Sequence, residues 1–199
     1  MMRTILGAAA LSLLAGTASA AVLNYTSFLD GAQANMGMGT GSSATGTATL
    51  AVDTDAQTLD FRLDVEGITL DRLASVFLPG GANGALGPIH IHNAPAGANG
   101  PITIPYPFDE TYTATAMGFV LEKLDYDFGA ATALAGVAPT FEQFVAALDA
   151  GLYYINIHTN EFGGGEIRGQ IAPVPLPAGA LLVLTGLGAL GFARRRKGA

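Results

Sequence analysis

The chain has 199 residues, with sixteen Asp plus Glu against nine Lys plus Arg, three histidines and no cysteine, which suits one domain with targeting segments better than two domains. Residues 21–173 hold every acidic side chain and four of the basic ones, a balance of −12, and this argues against nucleic acid as a partner. With no disulfide available, an exported domain of about 150 residues has to rely on an ordinary apolar core.

In chain order, Met1 to Ala20 carries an early Arg3, an apolar run through Leu14 and a small-x-small pair at Ala18 and Ala20. This reads as a signal peptide cleaved after Ala20. From Ala21 to Ala172 the pattern is period-2 alternation broken by glycine-rich turns, the signature of strands with one buried face. "VLNYTSF" opens it, and a Gly-, Ser- and Thr-rich stretch from Gly37 to Thr49 reads as a loop running into the strand "ATGTATLAV". In "TLDFRLDV" Leu59, Phe61, Leu63 and Val65 point one way, and Asp60, Arg62 and Asp64 the other. "LASVFL" and "PIHIHN" read as further strands, the second flanked by Asn83-Gly84 and Asn99-Gly100, taken as tight turns.

Residues 105–139 read only as a long excursion between core strands, in which "GFVLEKLDYDFGAATALAG" fits strand, turn or a second short helix. Thr140-Phe141-Glu142-Gln143 is a capping box opening one helix whose Phe141, Phe144, Val145 and Leu148 share a face and which Gly151 ends. "LYYINIHT" and "GEIRGQI" complete the strands. The expected architecture is all-β, an antiparallel β-sandwich with one short helix before the last two strands.

The tail, Val174 to Ala199, follows Val174-Pro175-Leu176-Pro177-Ala178 with an uncharged stretch from 178 to 193 and then Arg194, Arg195, Arg196 and Lys197. Sixteen helical residues rise about 24 Å against a hydrocarbon core of about 30 Å, so this short transmembrane helix depends on snorkelling flanks, and the basic run marks its cytoplasmic end, leaving everything before Val174 outside. The segment resembles the VPLPA class of bacterial C-terminal sorting signals, relatives of the PEP-CTERM signals. That resemblance implies a Gram-negative host, a membrane partner before processing, a sortase-like processing enzyme, and a destination at the cell surface or in an extracellular matrix.

His90-Ile91-His92, Gly97 with Asn99-Gly100-Pro101, then Tyr154-Ile155-Asn156-Ile157-His158-Thr159 and Gly165-Glu166-Ile167-Arg168-Gly169-Gln170-Ile171 together resemble the CHRD (chordin-type) domain over roughly residues 21–172. The resemblance implies an extracellular β-sandwich and leaves the biochemical role open. A fainter similarity extends to Cu/Zn superoxide dismutase, whose copper site begins on a His-x-His strand and closes with a late histidine.

Residues two apart on a strand share a face, so Ile89 and Ile91 take the core side while His90 and His92 share the outer one, and in "YINIHT" His158 takes that outer side too. Two readings stand for the three histidines. They anchor "NAPAGANGP" and "TNEFGGG" over the sheet, or they converge on one Cu or Zn ion, with Glu161, Glu166 or water as a fourth ligand. A dismutase is disfavoured, because a dinuclear centre takes about six histidines and the acidic surface repels an anionic substrate.

Glu166 and Arg168 are expected to face outward as an exposed ion pair. Asp53-Thr54-Asp55 and Asp125-Tyr126-Asp127 open like calcium loops but lack the EF-hand continuation, and read as turn residues. No catalytic constellation can be argued. The expected function is a non-enzymatic binding or structural module, with extracellular polysaccharide or matrix as the partner; a mononuclear copper or zinc protein is the alternative.

Overall fold

In the computed structural model, residues 22–175 are described; the expected signal peptide, the residues beyond 175 and with them the expected membrane helix lie outside that span. Ten strands run β1 (Val22–Asp30), β2 (Thr45–Asp53), β3 (Thr58–Glu66), β4 (Ile89–Asn93), β5 (Ile102–Tyr106), β6 (Tyr112–Ala114), β7 (Gly118–Asp127), β8 (Tyr153–Ile157), β9 (Ile167–Gln170) and β10 (Ala172–Pro173). Two helices, α1 (Phe128–Ala135) and α2 (Phe141–Asp149), sit between β7 and β8. The fold is all-β and every pairing is antiparallel.

The strands form one hydrogen-bonded sheet in the order β5-β4-β8-β9-β1-β2-β3-β7-β6, with β10 beside β1. In this order β3 and β5 stand six strands apart, about 29 Å if the sheet were flat. Yet Phe61 of β3 stacks on Tyr106 of β5 at 4.3 Å, and the Tyr126 hydroxyl of β7 donates to the Pro105 carbonyl at 3.1 Å. The sheet therefore curls back on itself into two facing halves, the layered packing of a sandwich made from a continuous ladder.

Alternation decides what enters that fold. Leu59, Phe61, Leu63 and Val65 are buried, and Asp60, Arg62 and Asp64 are exposed. The isoleucines at 89, 91, 155, 157 and 167 line the same core from the other half.

β4 and β8 behave differently from β3, because they are buried on both faces. Isoleucines cover their inner side, and loops cover the outer side that carries the histidines. Arg168 donates to the Ala98 and Pro95 carbonyls, and Asn156 donates to the Gly164 carbonyl at 3.1 Å, tying down the loops after β4 and β8. Gly165 is held so close over Asn156 that a Cβ there would collide with its side-chain amide, and its φ of 113° is one that L side chains rarely adopt.

Three sequence expectations change. There are two helices rather than one: Asp127 caps α1 by accepting from the Ala130 N–H at 2.7 Å, and Gly136 ends it in the left-handed region. "LASVFL" is not a strand. Only Leu73 forms a bridge, to Thr159, and the segment turns through short 3-10 helices at Leu70–Arg72 and Ser75–Phe77 because it runs across the sheet's end with no ladder to join. Asn99-Gly100 is a close approach rather than a positive-φ turn, since a Cβ on Gly100 would strike the Asn93 carbonyl.

The capping box at Thr140 is present, with Gln143 N–H to Thr140 Oγ1 at 3.2 Å and Thr140 N–H to Gln143 Oε1 at 2.9 Å. Asp53 is a turn residue as read, accepting from the Asp55 and Ala56 N–H groups.

Candidate metal centre

Register brings the histidines together. His90 lies opposite Asn156 and His92 opposite Tyr154 in the β4–β8 ladder, and the His158 N–H donates to the Pro88 carbonyl just beyond it. Two strands with fixed alternation thus point three imidazoles to one side. Their rings lie 4.9 to 6.1 Å apart between centroids, and one nitrogen from each ring falls within 4.8 Å of one from each of the others.

The two readings of these residues turn out to describe different nitrogens of the same rings. His92 Nδ1 meets the Gly100 carbonyl at 3.0 Å and His158 Nδ1 meets the Gly163 carbonyl at 2.8 Å. A carbonyl only accepts, so each Nδ1 carries the proton and each Nε2 is left with its lone pair. Both of those Nε2 atoms are buried without a partner, and neither nitrogen of His90 makes a well-formed hydrogen bond, the Gly87 backbone only approaching its ring. Nδ1 anchors the loop, and Nε2 is held as a free donor atom. An outer carbonyl fixing the tautomer of a ligating imidazole is how protein metal sites are commonly built.

The site is also buried. His90, His92 and His158 are 0%, 8% and 7% exposed, so the outer face of the sheet is not solvent here. Burial holds all three neutral. It pushes His90 down to about 2, helped by the neighbouring His158 and His92, and His92 to about 4 against an opposing hydrogen bond from Gly100. His158 is lowered by burial as well. Neutral imidazoles with free lone pairs are the protonation state that metal binding needs.

Bonds of about 2.0 to 2.1 Å around one ion put tetrahedral ligand atoms about 3.3 Å apart. A cluster bounded at 4.8 Å therefore needs only a modest inward swing of the rings.

Three neighbours complete the surroundings: Phe77, which no sequence motif marks, and Tyr154 and Arg168, which the motif contains but does not place beside the histidines. Phe77, at the end of the second 3-10 turn, packs its ring 4.9 Å from both His90 and His158 and caps the cluster. Tyr154 stacks on His92 at 4.9 Å with the planes 5° apart, and the Arg168 guanidinium lies 3.3 Å over the far side of the Tyr154 ring.

The acidic residues are placed elsewhere. Glu166 is buried, and its carboxylate accepts from Ser42 at 2.7 Å, Thr159 at 2.7 Å and Arg72 at 3.1 Å, so it is a structural anion rather than a fourth ligand. Glu161 is exposed and pairs with Arg72 at 3.4 Å. Glu166 and Arg168 are both buried and do not pair with each other: Arg168 is held by the Ala98 and Pro95 carbonyls and Asn99 Oδ1. The reversal follows from the loops, which convert the expected outer surface into an interior where exposed pairing has no place.

The model of the CHRD domain family matches residues 25–171. No curated protein and no solved structure matches the chain.

Proposed function

Since the chain belongs to the CHRD domain family, we propose that it works as an exported binding module that holds one copper or zinc ion on His90, His92 and His158, without turning over a substrate. The observation that carries this is the meeting of three buried imidazoles, one nitrogen of each within 4.8 Å of one from the others, with the Nε2 atoms of His92 and His158 left unpartnered. An unsatisfied buried polar atom costs about 1–3 kcal/mol, so several directed at one point need a compensating ligand.

The ion supplies the electrostatic partner that the cluster lacks. The chain's own residues supply the rest: Gly100 and Gly163 carbonyls fix two tautomers, Ile89, Ile91, Ile155 and Ile157 support the strands from below, and Phe77 keeps water out.

Titrating the purified, metal-free chain with Cu(II) and Zn(II) tests the reading. It expects one equivalent bound, tighter than about 10 μM, and lost in His90→Ala. Saturation at no metal, or unchanged binding in that variant, would reject it.

CHRD domains occur in extracellular proteins, which supports export. The remaining parts of the proposal are the signal peptide at 1–20, the sorting tail at 174–199 with its short membrane helix at 178–193, a sortase-like processing enzyme and a Gram-negative cell envelope. Among the described residues no helix is long and apolar enough to cross a membrane.

Matrix polysaccharide is the surface partner of this reading. A cleft of about 470 Å³ lined by Asn35, Thr40, Asn99, Glu161, Phe162 and Gly163 offers amide, hydroxyl and aromatic groups suited to a sugar. Loss of oligosaccharide binding in Phe162→Ala, with metal uptake intact, is the expected outcome.

A further inference from the structure

We propose that the three-histidine site is built for monovalent copper in three-coordinate geometry, and that the buried cation of Arg168 sets its preference for Cu(I) over Zn(II) and Cu(II). The inference rests on the metal-binding reading above and specifies the ion and its charge state.

The donor set is the first reason. All three ligands are neutral imidazoles, and Glu166, the one buried carboxylate among the described residues, has both oxygens engaged by Arg72, Ser42 and Thr159. A bound ion would therefore keep its full charge in a site at most 8% exposed. Desolvation cost grows with the square of the charge, so a dication loses roughly four times as much as a monocation on entering.

Coordination number is the second reason. Zinc takes four ligands, and Cu(II) prefers a tetragonal set. Here the Phe77 ring lies 4.9 Å from two of the three imidazoles, and among the described residues no carboxylate or further histidine joins the three as a fourth ligand. Tyr154, the other aromatic neighbour, presents its ring face to His92, while its hydroxyl accepts from the Gly100 N–H at 3.4 Å.

The third reason is Arg168. It is 3% exposed, and its hydrogen-bond partners are the Ala98 and Pro95 carbonyls and the Asn99 amide oxygen, all neutral. Its charge sits on Tyr154, which in turn sits flat on His92. A fixed positive charge one aromatic ring away from a ligand penalises each added unit of charge on the ion.

The experiment uses the full chain, metal-free, in parallel competitions: Cu(I) against a chromophoric Cu(I) chelator under ascorbate without oxygen, and Zn(II) and Cu(II) against chelators of matched affinity. Cu(I) should bind at least about 100-fold more tightly than Cu(II), which lifts the bound one-electron couple about 120 mV above the free one. Zn(II) should trail Cu(I) by a similar factor.

Arg168→Gln should cut the Cu(I)/Cu(II) ratio about tenfold, or about 60 mV, while Arg168→Lys, which keeps the charge and loses the stack, should keep most of it. Equal losses in both variants would overturn the assignment to the arginine charge. Zn(II) or Cu(II) binding as tightly as Cu(I) would overturn the monovalent preference and leave the metal site standing. Cu(I) binding that persists in His90→Ala would place the ion elsewhere, for instance on the exposed Met36 and Met38, and overturn the inference. No binding of any ion would instead remove the metal reading on which it rests.

Discussion

A buried histidine that binds nothing is a liability, and His90 sits at zero exposure with no well-formed hydrogen bond at either nitrogen, only the Gly87 backbone approaching its ring. Replacing an unsatisfied polar group by an apolar one of similar volume is neutral or stabilising. His90→Leu should therefore stabilise the metal-free protein by about 1–2 kcal/mol, seen as a higher urea midpoint at unchanged slope, while abolishing metal uptake. A stability gain coupled to loss of binding is what a ligand position shows and a packing position does not. If His90→Leu destabilises by more than about 1 kcal/mol, the ring has partners and the argument fails. Glu166 should behave in the opposite way. Its carboxylate satisfies Ser42, Thr159 and Arg72 from a buried position, so Glu166→Ala should cost about 2–4 kcal/mol and leave the metal stoichiometry unchanged. A drop in stoichiometry would return Glu166 to the ligand set.

Elements were legible where local chemistry alone defines them. The alternation of β3 and the capping box of α2 each need only a few neighbouring residues, and each stands in the structure as read, whereas the meeting of the three histidines also needs the β4–β8 pairing. Thr140→Ala should accordingly cost about 1 kcal/mol in a thermal or urea melt; a null effect would mean that α2 is held by Phe144 and Leu148 alone. α1 was harder to read because "FGAATALA" has small side chains and no charge, so its marks are only the Asp127 cap and Gly136 beyond its end. The failure at "LASVFL" has another cause, for alternation makes a strand only where a ladder is available, and availability is a property of the whole sheet. The same limit hid Phe77, and with it the placement of Tyr154 and Arg168 beside the histidines. Their roles depend on which loops fold over β4 and β8, and nothing within their own segments says so.

At the scale of the whole molecule, the buried histidines couple folding to pH. In the unfolded chain each imidazole titrates near its ordinary value of about 6.5, whereas burial holds His90 down to about 2, His92 to about 4 and His158 below its ordinary value in the folded protein. Between those limits the unfolded state binds protons that the folded state does not, so stability rises with pH and falls with acid. The contribution of these groups is fully present above about pH 6.5 and is lost progressively as pH drops toward the folded values, at up to about 1.4 kcal/mol per pH unit for each histidine. The window from pH 7 to 5 isolates the effect, because ordinary carboxylates stay ionised throughout it and the large negative charge of the domain changes little. The urea midpoint of metal-free protein should fall clearly across that window with an unchanged slope against denaturant, and His90→Leu should show a shallower fall. A saturating metal ion should steepen the loss, since acid then removes both the neutral imidazoles and the stabilisation they confer by binding. A midpoint flat from pH 7 to 5 would mean that the imidazoles reach solvent, and with it the buried, three-nitrogen centre would have to be given up.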